Sequence, residues 1–121
     1  MHDLDNILYA ISKVRIPHMR CEYDLHDIIA AALDAGCIPY RHEALVAPGR
    51  RVDFLCGAVG IEVKRGKPQY KPLLRQLFAY AESPMIAALI LVADRAPSLP
   101  EMILGKRLRS LSLERLWGVA L

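Results

Sequence analysis

Apolar residues at Leu4, Ile7, Leu8 and Ile11 fall three and four apart, so residues 3–13 are expected to form a short amphipathic helix. Pro17 interrupts the pattern in the loop "RIPHMR". Within Glu22 to Ala35, the residues Leu25, Ile28, Ile29, Ala32 and Leu33 make a second helical stripe, with Gly36 a natural stop. "IPYRHEALVAPG" reads as a strand that ends in a Pro48–Gly49 turn, and "RRVDFLCGAVGIEVKRG", Arg50 to Gly66, as two short strands about a glycine turn. Pro72 opens another helix, whose expected core face is Leu73, Leu74, Leu77, Phe78 and Ala81 and which Pro84 closes. "MIAALILVA" is apolar throughout, as in a strand covered on both faces. "DRAPSLPEMILGKRL" is expected to be loop with at most one helical turn, and "RSLSLERLWGVAL" to contain the last strand. This order predicts one α/β domain over residues 1–121, a central mixed sheet flanked by helices.

Composition narrows the class. At 121 residues, with 54% apolar and 24% charged positions, the chain has the size and balance of one globular domain rather than a disordered segment. A net charge of +3 permits an acidic partner such as nucleic acid but does not point to one by itself. Cys21, Cys37 and Cys56 form no CxxC pair and are odd in number, which suits buried free thiols in a reducing cytosol. The histidines His2, His18, His26 and His42 show no metal-ligand spacing with them. The first residues are acidic and amphipathic, unlike a signal peptide, and no apolar run reaches membrane length. The expectation is a cytoplasmic protein with no membrane partner.

The charges inside the hairpin change the picture further. A two-residue turn centred on Gly57–Ala58 pairs Cys56 with Val59, Leu55 with Gly60, Phe54 with Ile61 and Asp53 with Glu62. Asp53 and Glu62 would then share one face, and Lys64, two residues on, the same face. Val52, Phe54, Ile61 and Val63 would take the other, toward a helix layer. Two like charges opposite each other destabilise a sheet, and one lysine relieves only part of that repulsion. A divalent cation relieves it fully, Mg²⁺ being commonly held by one or two carboxylates. The competing reading is a solvated Asp–Lys–Glu surface cluster, disfavoured by the apolar residues around it.

Glu22 lies along the buried stripe of its helix, where it could be a third site carboxylate or a plain complement to the helix N-terminus. Gln76 and Tyr80, four apart, could hydrogen-bond a phosphate or a water, or could simply mark the boundary between core and solvent. Around the hairpin lie Arg41, Arg50, Arg51, Arg65, Lys67, Lys71 and Arg75, a rim suited to a polyanionic backbone and equally to ordinary solvation.

Asp53 and, after an eight-residue gap, Glu62 within "IEVK" (Ile61 to Lys64) resemble the PD-(D/E)XK nuclease signature. The flanking segments are similar to those of the superfamily: "CEYDLHDII" carries an acid at the start of a helix, and "LLRQLFAY" carries Gln76 on the helix that follows. The resemblance covers roughly Glu22 to Val92 and implies the restriction-endonuclease-like αβββαβ core of restriction enzymes and archaeal-type Holliday-junction resolvases. It implies Asp53, Glu62 and the Val63 carbonyl as metal ligands. Lys64 would orient the attacking water and stabilise charge on the phosphate, with Glu22 as an additional acid and Gln76 assisting. Val52 departs from the family pattern, standing where the name-giving proline would be.

The function implied is an Mg²⁺- or Mn²⁺-dependent endodeoxyribonuclease, structure-selective or resolvase-like, with DNA as partner. Arg50, Arg51, Arg65, Lys67, Arg75 and Tyr80 would contact the nucleic acid. A homodimer would pair two such sites to cut both strands. The alternative is a nucleic-acid-binding module of the same fold without catalysis.

Overall fold

The structure, a computed structural model, describes residues 3–13 and 25–116. Helix α1 (Leu4–Ser12) is capped by Asp3, whose carboxylate accepts from the Asn6 N–H at 3.0 Å. Helix α2 (Leu25–Ala35) turns Leu25, Ile29, Ala32 and Leu33 inward. There follow β1 (Arg41–Ala47), β2 (Arg50–Cys56), β3 (Val59–Lys64), α3 (Tyr70–Ala81), β4 (Ala88–Ala93), β5 (Met102–Ile103), β6 (Lys106–Ser112) and α4 (Leu113–Leu116). Among the described residues the strands form one six-stranded mixed sheet in the order β1-β2-β3-β4-β6-β5. The meander β1-β2-β3 is antiparallel, β3, β4 and β6 run parallel, and β5 closes the far edge antiparallel to β6.

Two apolar layers sandwich this sheet. On one face α1 and α2 pack Ile7, Ile11, Ile29 and Leu33 against Phe54, Ile61, Val63, Ile90 and Val92. On the other, α3 packs Leu73, Leu77 and Tyr80 against Val52, Leu55, Leu89 and Leu91. Strand β4 supplies both layers alternately and all six of its residues are buried, as its unbroken apolar run predicts. No helix among the described residues is long and apolar enough to cross a membrane.

Cys37, expected to be buried, is exposed in the turn after α2, and the structure differs from the sequence expectation at three further places. Strand β6 begins at Lys106, and "DRAPSLPEMILGKRL" holds strand β5 in addition to loop. The β5–β6 turn has Leu104 and Gly105 both at positive φ (51° and 76°), the geometry of a type I′ turn. Such turns favour Asn-Gly or Asp-Gly, so a leucine at the first position hides the signal. On α3 the buried line is Leu73, Leu77, Tyr80 and Ala81, whereas Phe78 is 44% exposed. A helix turns about 100° per residue. Leu74 and Phe78 therefore fall on its flank once the Leu73–Leu77 line faces the sheet.

The third difference bears on the site. Val52 packs in the α3 layer while Phe54, Ile61 and Val63 pack in the α1–α2 layer, so Val52 and Phe54 do not share a face. Strands normally alternate with period two, and here β1 and β2 break the alternation together. His42 and Phe54 stack, their ring centroids 4.7 Å apart, while the next rung, Ala44 opposite Val52, belongs to the α3 layer. The rung between them carries Glu43, at φ 53°, and Asp53. A left-handed residue turns the chain off the regular pleat, and the Glu43 carbonyl accepts from the Arg51 guanidinium at 3.2 Å.

Candidate active site

Asp53 thus occupies the rung at which β2 changes face, and it is also where β2 parts from β3. Gly57 at φ 60° heads the turn, with Ala58 not at positive φ, the pattern of a type II′ turn. The pairing runs Cys56–Val59, Leu55–Gly60 and Phe54–Ile61, in the register read from the sequence, and then stops. In a hairpin closed at Cys56–Val59, the rung that would next exchange two backbone bonds is Val52–Val63. Instead the Asp53 carboxylate accepts the Val63 N–H through Oδ2 at 2.7 Å. A strand residue points its carbonyl to the same side as its N–H. The Val63 carbonyl therefore opens into the notch that the Asp53 carboxylate occupies. Asp53 is not squarely opposite Glu62 on one face; its carboxylate sits between the strands.

Glu62 and Lys64 do share a face, that of α3. Gly60, two residues before Glu62, shows which face this is: a methyl there would meet side chains of Ile86, Leu89 and Val52 at 3.0–3.1 Å. Glu62 is only 4% exposed, and the Lys64 Nζ stands 3.3 Å from its Oε2. Its other oxygen, Oε1, is buried with no hydrogen-bond partner among the described residues. Burial, and next the Asp53 charge, push the Glu62 carboxyl up to about 7 against the pull of Lys64. An ionised carboxylate with a bare oxygen in an apolar layer is costly.

Gln76 and Tyr80 face this carboxylate from α3. The Gln76 amide donates to the Tyr80 hydroxyl at 3.0 Å, and that hydroxyl donates to the Arg51 carbonyl at 2.8 Å. Burial, then the Glu62 charge, raise the Tyr80 phenol well above its usual range. At 2% exposure the Tyr80 ring does not present itself to a nucleic-acid backbone. It ties α3 to β2 and sets Gln76 beside the site. Lys64 and Gln76 line a cleft of about 410 Å³ together with Arg50 and Arg75. Arg51, Arg65 and Lys67 are exposed and outside that lining. Glu22, the expected third acid, lies outside the described residues.

An imidazole pair reaches the site that the sequence reading did not bring there. The His26 Nδ1 on α2 and the His42 Nε2 on β1 are 2.9 Å apart and share a hydrogen bond, and the His26 Nε2 stands 3.8 Å from the Asp53 Oδ2. His26 precedes Ile29 by three residues and Leu33 by seven, so its place at the edge of the α2 stripe was legible. His42 was not, because its position depends on the β1–β2 register and on Phe54 beneath it.

Among the described residues no three His, Cys, Asp or Glu side chains form a metal-holding group. The oxygen donors in this neighbourhood are the Asp53 and Glu62 carboxylates, the first of which acts electrostatically on the second, and the Val63 carbonyl beside the notch. That set is compatible with Mg²⁺, which keeps several waters and takes one or two carboxylates, and the Glu62 Oε1 has no hydrogen-bond partner among the described residues. Comparisons with family models, curated proteins and solved structures returned no significant match to this chain.

Proposed function

We propose that the protein is a metal-dependent nuclease with a restriction-endonuclease-like core, hydrolysing phosphodiester bonds in DNA. The order α2-β1-β2-β3-α3-β4 supports the fold assignment. The observation that carries the function is the buried, unpartnered Glu62 Oε1, on a carboxyl that feels the Asp53 charge and has Lys64 beside it. A salt-bridge cluster built for stability alone would not leave that oxygen bare.

Asp53, Glu62 and the Val63 carbonyl would hold Mg²⁺ or Mn²⁺, which when bound supplies an activated water and neutralises charge on the phosphate. The protein's own residues do the rest. The Val63 N–H fixes the Asp53 carboxylate in the notch. The Lys64 ammonium is held beside the Glu62 carboxylate and the residue lines the cleft, so that ammonium can also face a phosphate oxygen and stabilise charge that grows there. Gln76, held by Tyr80, offers an amide at the same wall. Arg50 and Arg75 bring positive charge to the mouth of the cleft.

The test is a cleavage panel of linear, nicked, branched and single-stranded DNA, and RNA, with and without Mg²⁺ or Mn²⁺. Asp53→Asn keeps an acceptor for the Val63 N–H, so it should fold and yet lose metal-dependent cutting. Lys64→Ala should slow cutting on the order of 100- to 1,000-fold, the usual effect of removing one charge-stabilising donor. Intact DNA of every topology in every metal would sink the proposal. Heat-free titrations with Mn²⁺, alongside nucleic-acid binding, would then favour a binding module of the same fold.

A further inference from the structure

The outer surface of α3 carries two parallel rows. Lys71 and Arg75, four apart, form a cationic row, while Leu74 and Phe78, also four apart, form an apolar one. Lys71 stands three residues before Leu74, and Arg75 three before Phe78, so the rows lie side by side. Both cations are exposed, Phe78 is 44% exposed and Leu74 is half-buried. Together with Arg50 and the exposed Glu82 these residues line a groove of about 530 Å³. It shares Arg50 and Arg75 with the cleft that Lys64 and Gln76 line, so groove and site are continuous.

We infer that this groove takes an unpaired nucleic-acid strand, which follows α3 away from the site with a base stacked on Phe78. The inference deepens the nuclease reading and rests on it for the link between groove and chemistry. A duplex offers the groove phosphates only, its bases being turned inward, and would use the cationic row while leaving the apolar row against water. A single strand uses both. Its phosphates meet Lys71, Arg75 and Arg50, and its base faces meet Phe78 and Leu74. One helical step of four residues rises about 6 Å, comparable to the spacing of successive phosphates in an extended strand. The one acid, Glu82, stands at the Phe78 end, past the cationic row. The substrate class is therefore DNA or RNA with a single-stranded arm, flap or end.

The experiment uses the full chain in EDTA, so that binding is read without cutting. Fluorescence anisotropy is measured with labelled oligo(dT) and oligo(U) of about 20 nucleotides and with a duplex of equal length, since one stacked base and a few phosphates suffice for the effect. Phe78→Ala should weaken oligo(dT) roughly 5- to 150-fold, the range for loss of one stacked base, and leave the salt dependence and duplex affinity unchanged. Phe78→Tyr should restore binding. Arg75→Ala should lower the salt slope on the single strand by about 0.7, as expected for one lost phosphate contact. Relative affinities for the two oligonucleotides then assign DNA or RNA. Unchanged oligo(dT) affinity in Phe78→Ala overturns the inference, as does an equal loss on the duplex. So does a groove that binds an acidic amphipathic peptide but no oligonucleotide. Metal-dependent cutting is scored separately. Phe78-dependent binding without cutting defeats the nuclease reading, whereas cutting with binding indifferent to Phe78 defeats the groove.

Discussion

Glu62 shows most directly how burial makes one charged residue costly in the bare fold. Its carboxyl is 4% exposed and pushed up to about 7, first by burial and then by Asp53. Below the ordinary glutamate range, near 4.5, folded and unfolded chains both hold the proton and the group is neutral to folding. As pH rises from there to about 7 the unfolded chain releases the proton while the folded chain keeps it, so stability falls across that window. Glu62→Gln should therefore stabilise the metal-free protein at pH 8, on the order of a few kcal/mol, and the gain should vanish as pH falls through the window. Urea titrations in EDTA at several pH values measure this directly. A variant less stable than the parent at pH 8 would contradict the burial argument.

At the scale of elements, the junction between α3 and β2 keeps the site in shape. Tyr80 is buried and its hydroxyl bridges the Gln76 amide and the Arg51 carbonyl, on the strand segment next to Asp53. Tyr80→Phe removes the bridge while keeping the ring, leaving one donor and one acceptor without their partner. The expected cost is about 1–3 kcal/mol, read as a lower urea midpoint at unchanged slope. A change in slope would instead mean an altered unfolded or native ensemble. The face switch of β1 and β2 at the Glu43–Asp53 rung is the other junction that matters. It ends the β2–β3 ladder after three pairs and so leaves the notch.

For the whole molecule, the site draws on β2, β3 and α3, with α2 behind it through His26. A cation bound there would couple these elements and raise the stability of the domain. At about 100 times its Kd a ligand adds roughly 2.7 kcal/mol, or roughly 10 °C in Tm for a domain of this size. Mn²⁺ should therefore raise Tm in the parent and leave Asp53→Asn and Glu62→Gln unmoved. A parent chain whose Tm ignores Mn²⁺ and Mg²⁺ at all soluble concentrations would contradict the cation site.

Short-range patterns were enough for several features. The Leu4–Ile11 periodicity carried α1, the unbroken "MIAALILVA" carried β4, and the Gly57–Ala58 turn carried the first three rungs of the β2–β3 hairpin. They also placed Lys64 on the face of Glu62, because two residues along a regular strand must agree. Other features depend on segments far apart in the chain. The Asp53 carboxylate turns into the notch at a rung where its partner strand carries Glu43 in a left-handed conformation. His42 reaches His26 only through the register of β1 on β2. Phe78 became surface because the sheet received the Leu73–Leu77 line of α3, and periodicity alone cannot choose between adjacent lines on a wide apolar face. Local patterns state which residues along one element agree with one another; where two elements part, and which face each gives up, is set by the packing between them.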